Sequence, residues 1–262
     1  MLIESRKYGS EPFQTVVLHG GPGAPGSVGP LASELSSDRG VLEPYQSADS
    51  VEGQIVELKE FLIYHAQIPV ILIGHSWGAW LGYLLTSGNP ELVRKLILVS
   101  AGPFEARYAD TLVQTRLKRL SPKEMEFYDQ IMDEWDKAND YRKPLLFKKL
   151  GKLMLKADSF NPIELEDPTV VYQPDIFMKV WKEANYLRIS GDLLAKGKKI
   201  KCPVVAIHGD YDPHPWEGIK EPLESILENF RFILLKDCGH EPWNEKHARD
   251  EFYHLIREEF TY

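Results

Sequence analysis

The chain has 262 residues, 43% of them hydrophobic, with 31 Lys and Arg against 39 Asp and Glu, for a formal net charge of -8. That length suits one α/β domain carrying an insertion, with enough apolar material for a sizeable core. An acidic chain without a basic stripe argues against nucleic-acid binding, and no apolar run approaches the roughly 20 residues of a membrane span. The start, Met1-Leu2-Ile3-Glu4-Ser5-Arg6-Lys7, lacks the apolar segment of a secretory signal. The two cysteines, Cys202 and Cys238, are expected at opposite edges of a sheet, too far apart for a disulfide. They also lack metal-ligand spacing. A reduced, cytoplasmic protein without metal or cofactor is therefore expected, and oligomeric state is not readable.

In chain order, residues 2–8 and 13–18 read as strands, joined as a hairpin around Gly9-Ser10-Glu11-Pro12. A short strand is expected near 40–45. Ser50 can cap a helix running to about His65, with Val51, Ile55, Leu58, Phe61 and Leu62 at helical spacing. Then come a strand over 69–73, a helix over 78–88 and a strand over 95–100. The next strands are 203–207 and 230–235, the latter followed by a last helix. The gap between Ser100 and Pro203 far exceeds the dozen or so residues of a simple crossover. It is helical in composition, with a helix start at Ser121-Pro122-Lys123-Glu124. Trp135, Tyr141, Phe147, Met154, Phe177, Trp181 and Tyr186 punctuate it. Residues 103–198 are read as a helical cap inserted in a core made of residues 1–102 and 199–262. The run Lys148-Lys149-Leu150-Gly151-Lys152 is read as a solvated helix face.

Two glycine strings carry the chemistry. Gly74-His75-Ser76-Trp77-Gly78 follows the apolar run Val70-Ile71-Leu72-Ile73 and precedes helix-forming residues. A serine at such a strand–turn–helix junction is a nucleophile candidate, and flanking glycines let the strand and helix approach. A base must take the serine's proton. His240, set off by Gly239 just past a strand, is the best placed; His19 reads as a brace of its glycine loop, His75 as facing away from the serine inside the elbow, His208 as shaping the acid loop, and His214 lies closer to the site. His65, His247 and His254 read as solvated. The acid is Asp212 or Asp210, with Asp237 a third choice. Asp212 is favoured because Pro213 biases it towards extended backbone. Backbone N–H groups of Trp77 and of Gly21, in His19-Gly20-Gly21-Pro22-Gly23, are candidate oxyanion donors. That loop lacks both the Lys-Ser/Thr ending of a P-loop and G-x-G-x-x-G spacing. Trp77 and Trp80 are expected beside an apolar pocket for a small-molecule substrate, and Glu183 is the candidate anchor for a substrate amine.

These residues resemble the α/β-hydrolase superfamily over nearly the whole chain, from His19 to the last helix. The resemblance implies a mostly parallel α/β-hydrolase sheet with helices on both faces and an inserted helical cap. It also implies Ser76, Asp212 and His240 as the triad, with Gly21 and Trp77 as the oxyanion hole. His19-Gly20-Gly21-Pro22-Gly23 with Ser76-Trp77-Gly78 is similar to the proline iminopeptidase branch, whose caps hold a substrate amine with acidic residues. Two features differ from that branch: His75 stands where it carries glycine, and Glu43-Pro44-Tyr45-Gln46-Ser47 stands where it carries Asp-Gln-Arg-Gly. The expected activity is a serine hydrolase working through an acyl-enzyme, and the resemblance implies an aminopeptidase type. The alternatives are a carboxylesterase, lactone or thioester hydrolase, or a non-catalytic ligand-binding protein on the same fold.

Overall fold

The computed structural model describes residues 3–164 and 170–260. Residue 2 of the expected first strand and residues 165–169 of the expected cap lie outside the described residues. Seven strands form one sheet: β1 (Ser5–Tyr8), β2 (Phe13–Leu18), β3 (Gly40–Pro44), β4 (Val70–His75), β5 (Val93–Val99), β6 (Val204–Gly209) and β7 (Phe230–Leu235), in the order β1-β3-β2-β4-β5-β6-β7. All neighbours are parallel except β1, which pairs antiparallel with β3 through Ser5↔Pro44 and Tyr8↔Val41. The expected β1–β2 hairpin is therefore corrected. The chain between them steps past β3, which takes the pairing edge of β2, and the Tyr8 hydroxyl donates to Glu43 Oε2 at 2.7 Å.

The central strands read as unbroken apolar runs because both of their faces are buried. Side chains alternate across a strand. Val16, Leu18, Leu72, Leu96 and Leu98 enter one core, while Val17, Ile71, Ile73, Ile97 and Val99 enter the other. The first core lies under α2 (Val51–His65), α3 (Trp77–Gly88) and α9 (Glu217–Ile226). The second lies under α1 (Gly29–Leu35) and α10 (Arg249–Glu258). Ser50 Oγ accepts the Gly53 N–H at 3.1 Å and so caps α2, as its sequence position suggests. Among the described residues no helix is long and apolar enough to cross a membrane.

Between β5 and β6 the chain forms α4 (Leu112–Lys118), α5 (Pro122–Trp135), α6 (Lys143–Asp158) and α7 (Pro174–Ser190). It returns through the short α8 (Asp192–Ala195), where the Tyr83 hydroxyl of α3 donates to Leu194 O at 2.9 Å. A ladder of rings joins this insert to the sheet layer. Trp80 stacks on Trp181 (5.7 Å, 10°), Trp181 on Phe177 (6.2 Å, 11°), and Phe177 meets Phe147 at 4.9 Å. Such pairs contribute about 0.5–1.5 kcal/mol each beyond area burial.

A second tie is polar. The residues after α6 run alongside the loop that follows β7. Asp158 O accepts the His240 N–H at 2.9 Å, Pro162 bridges Glu245, and Ile163 N donates to Asn244 O at 2.8 Å. The buried Glu245 carboxylate knots the crossing by accepting N–H groups from Phe160 (2.7 Å), Asn161 (2.7 Å) and Gly239 (2.9 Å). Glu245→Ala would leave buried donors without an acceptor. It is expected to lower unfolding free energy by about 3 kcal/mol or more, read as a lower midpoint in chemical denaturation, with Glu245→Gln losing less.

Candidate active site

Crowded backbone forces Ser76 to the apex of its turn. A Cβ at Gly74 would lie 2.2 Å from Gly78 O, and one at Gly78 would lie 2.5 Å from Leu18 O. Only glycine allows β4, β2 and α3 to approach this closely. Ser76 itself has φ 53 and ψ -114, a conformation that costs a non-glycine residue about 1–3 kcal/mol and recurs where strain serves function. It stands as N-cap of α3, so the Trp77 and Gly78 N–H groups at the helix start have no preceding turn to bond, while the Ala79 N–H donates to Ser76 O at 3.1 Å.

His240 follows β7 and Asp212 follows β6. Their loops touch because Gly209 presents no Cβ, which would meet Cys238 O at 2.2 Å. His240 Nδ1 donates to Asp212 Oδ2 at 2.7 Å, leaving Nε2 as the ring nitrogen available to a substrate or to a serine hydroxyl. Of the two candidate acids it is Asp212 whose carboxylate, fully enclosed, meets the histidine. Asp210 is exposed and accepts the Cys238 N–H at 3.2 Å, which braces the turn.

Three further histidines crowd this pair. His214 Nδ1 donates to the other oxygen, Asp212 Oδ1, at 2.7 Å, and its backbone N–H reaches the same oxygen at 2.9 Å. His208 Nε2 donates to His214 O at 2.9 Å. His75 does not point away from the site as its sequence position suggests. Its Nε2 donates to His240 O at 2.9 Å, and its ring packs against those of His240 (4.8 Å) and Trp243 (4.6 Å). His214 could have been suspected from its place two residues beyond Asp212; for His75 no sequence signal points to the contact. On the far side, His19 Nδ1 donates to Gly20 O at 3.0 Å within the glycine loop.

Burial alone would raise the Asp212 carboxyl, but His240, His214 and His208 around it hold it well below its ordinary 3.8. Burial disfavours a charged His240 as well, and there the Asp212 carboxylate prevails, so this imidazole titrates above its ordinary 6.5. Burial drives the rest the other way: His19 and His214 are pushed down to about 4, and His75 and His208 also fall. Asp212, His214 and His240 offer donor atoms within 4.8 Å of one another. Both Nδ1 atoms, however, are spent on the carboxylate at 2.7 Å, closer than two ligands of one ion sit when each metal bond is about 2.0–2.2 Å in tetrahedral geometry.

Ser76, His240, His214, Gly21 and Trp77 border one cavity of about 660 Å³. Gly21 has φ 37, and its neighbour Gly20 lies so near the elbow that a Cβ there would meet Ser76 Cβ at 3.2 Å. Helices of the insert supply the opposite wall, including Leu112, Val113, Met154, Leu155, Phe177 and Trp181. Lys148 and Lys152 border it too, so the basic run of α6 is not wholly a solvated face. Arg116 reaches in as a fork on Asp158, with Nε–Oδ1 at 2.7 Å and a second bond at 2.6 Å. Two expected pocket residues lie elsewhere. Trp80 is buried behind Trp181, its Nε1 donating to Gly102 O at 2.9 Å. Glu183 is outside the lining; its Oε2 accepts the Val51 N–H at 2.8 Å, where a carboxylate complements the start of α2.

The sheet order, the strained serine and the histidine–carboxylate contact agree with a match to the family model described as "Alpha/beta hydrolase family", which covers residues 16–255. The chain belongs to the α/β-hydrolase family and is a hydrolase. No curated protein sequence matches it. Among solved structures it is similar to an α/β-hydrolase enzyme from the metagenome of lagoon sediments at Mar Chica, Morocco. That pair shares 21% identity over 98% of this chain and 94% of the other, with a TM-score of 0.60. It is similar to the monoacylglycerol lipase of Paleococcus ferrophilus at 17% identity, over 98% of each chain, with a TM-score of 0.62. A thioesterase domain from the curacin biosynthetic pathway gives 17% identity, 97% and 94% coverage and a TM-score of 0.59. These likenesses show a common fold.

The shifted histidines fix the sign of two pH effects. His19, His75, His208 and His214 are neutral in the fold, so their contribution to stability is full above about 6.5 and lost as pH falls, reaching about 4 for His19 and His214. His240 contributes in the opposite sense: its stabilisation is present below 6.5 and lost as pH rises through its raised value. Four lowered groups outweigh one raised group. Denaturation midpoints measured across pH are therefore expected to fall between about 6.5 and about 4; a midpoint rising over that interval would contradict the burial of neutral imidazoles.

Proposed function

We propose that this chain is a serine hydrolase that cleaves the acyl–oxygen or acyl–sulfur bond of a small, largely apolar ester, lactone or thioester. The observation that carries the reading is the His240–Asp212 contact, closed at 2.7 Å beside a serine strained at the head of α3, all bordering one cavity. In this reading Ser76 Oγ attacks the substrate carbonyl while His240 Nε2 takes its proton. Asp212 holds the imidazole in the Nδ1–H tautomer and stabilises it once charged. The carbonyl oxygen, now negative, meets the N–H groups of Trp77 and Gly21. His240 returns the proton to the departing alcohol or thiol. Water then repeats the sequence on the acyl-enzyme and releases the acid.

The acyl or alcohol portion would lie against Leu112, Val113, Phe177 and Trp181, in keeping with the mainly apolar lining of small-molecule sites. The similar solved structures, a lipase and a thioesterase among them, support an ester or thioester bond. The aminopeptidase reading finds less support. Glu183 caps a helix, and Asp158 is engaged by Arg116, so neither is disposed to receive a free amine.

A panel of aryl esters, aryl thioesters and amino-acid arylamides distinguishes the two. Turnover of the esters and thioesters with little on the arylamides is expected, and a preference for arylamides with a free amine would reinstate the peptidase reading. Ser76→Ala should lower kcat by a factor on the order of 10⁴ or more and abolish fluorophosphonate labelling. For the ester substrate, kcat/KM should fall as pH drops through the raised titration of His240, because only the neutral imidazole can accept the serine proton.

A further inference from the structure

His214 occupies a position that the triad itself does not require. We propose that it is a positioning residue: it holds Oδ1 of Asp212 so that Oδ2 stays on His240. The proposal rests on the reading of Asp212 and His240 as triad members and adds a second imidazole to the same carboxylate.

The geometry is close to symmetric. Asp212 Oδ2 takes the His240 Nδ1–H at 2.7 Å, and Oδ1 takes the His214 Nδ1–H at 2.7 Å together with the His214 backbone N–H at 2.9 Å. The two rings stack at 4.7 Å and 28°. An ionised carboxylate offers only acceptors, so both imidazoles must place a proton on Nδ1. Rotation of the carboxylate is thereby blocked from both sides, and the oxygen that faces His240 cannot be lost to another donor. His208 extends the brace by donating to His214 O at 2.9 Å.

Charge explains why the second ring has to stay neutral. A cationic His214 would neutralise Asp212 and repel the imidazolium that His240 becomes during the reaction. The groups facing His214 are Asp212 on its own loop, His240 on the loop after β7, Arg116 on α4, His75 at the end of β4 and His208 on β6. His240 is faced in turn by Asp212, by Asp158 at the end of α6, by Arg116 and by His75. Burial, with His240 and Arg116 adding to it, prevails over Asp212 and pushes His214 down to about 4, so the ring carries one proton at neutral pH.

Asn is the conservative replacement, because its amide NH₂ can occupy the place of Nδ1–H and does not titrate; Leu removes the side-chain donor while keeping the apolar bulk. His214→Leu is expected to lower kcat roughly ten- to hundredfold, the loss of one charge-assisted hydrogen bond, with KM changed less than about twofold because that bond does not touch substrate. The acid limb of the kcat profile should move to higher pH, since Asp212 stripped of a donor holds the proton on His240 more strongly. His214→Asn should restore both quantities. Proton NMR supplies a readout that needs no activity: the wild type should show two imidazole N–H resonances far downfield of the amides, His214→Asn should delete one, and His240→Ala the other. Wild-type kcat and pH profile in the Leu variant would overturn the proposal, as would equal impairment of the Asn and Leu variants or a single downfield resonance in the wild type. An enzyme inactive on every ester, thioester and arylamide but showing both resonances would instead overturn the hydrolase reading and leave the shared carboxylate standing.

Discussion

Backbone crowding where β4 turns into α3 is the constraint on which the remaining geometry depends. Because nothing larger than hydrogen fits at Gly74 and Gly78, β2, β4 and α3 converge on one point and Ser76 is thrust out of it. The same convergence brings the glycine loop after β2 against the elbow, with Gly20 almost touching His75 and Ser76. The loops after β6 and β7 arrive on the other side, pressed together at Gly209 and Cys238. Parallel strands make this possible, since all of them deliver their carboxyl ends to one edge of the sheet.

Charge at that edge is met by imidazoles and a backbone N–H rather than by lysine or arginine side chains. Asp212 is fully enclosed, yet among the described residues no lysine or arginine is bonded to it; three imidazoles and a backbone N–H surround it. The nearby Arg116 guanidinium is spent in a forked pair with Asp158.

The sequence is legible wherever local chemistry decides the structure. Apolar runs with no polar alternation mark strands buried on both faces, Ser50 and Ser121 mark helix starts, and the glycines at 74 and 78 mark the elbow. It is not legible where the partner is distant. The β1 strand pairs with β3 and not with its neighbour in sequence, because competition for the edge of β2 is settled by β3 and β4. Glu183 is a charged residue on a helical face like many others, and its partner, the Val51 N–H, lies 132 residues away. Trp80 and Trp181 are equally apolar in sequence, and only their stacking order shows which ring meets the cavity. Asp212 and Asp210 differ in the structure chiefly by which of two adjacent turns faces inward, a choice that Pro213 biases but does not dictate.

The insert touches the catalytic edge at both ends of the cavity. Residues 158–164 bind the loop that carries His240, and residues 171–173 pair with the glycine loop through Val171 N to Pro25 O at 3.0 Å and Gln173 N to Gly23 O at 2.9 Å. The insert and the loops that carry His240 and Gly23 are consequently not separable modules in this protein. A chimera that exchanged only the helices above the sheet would import foreign backbone partners for the loop that carries His240 and for the glycine loop after β2. The exchangeable unit is larger: it comprises the insert together with residues 23–25 and 239–246, and recombination boundaries drawn outside that set would keep each strap with the loop it holds.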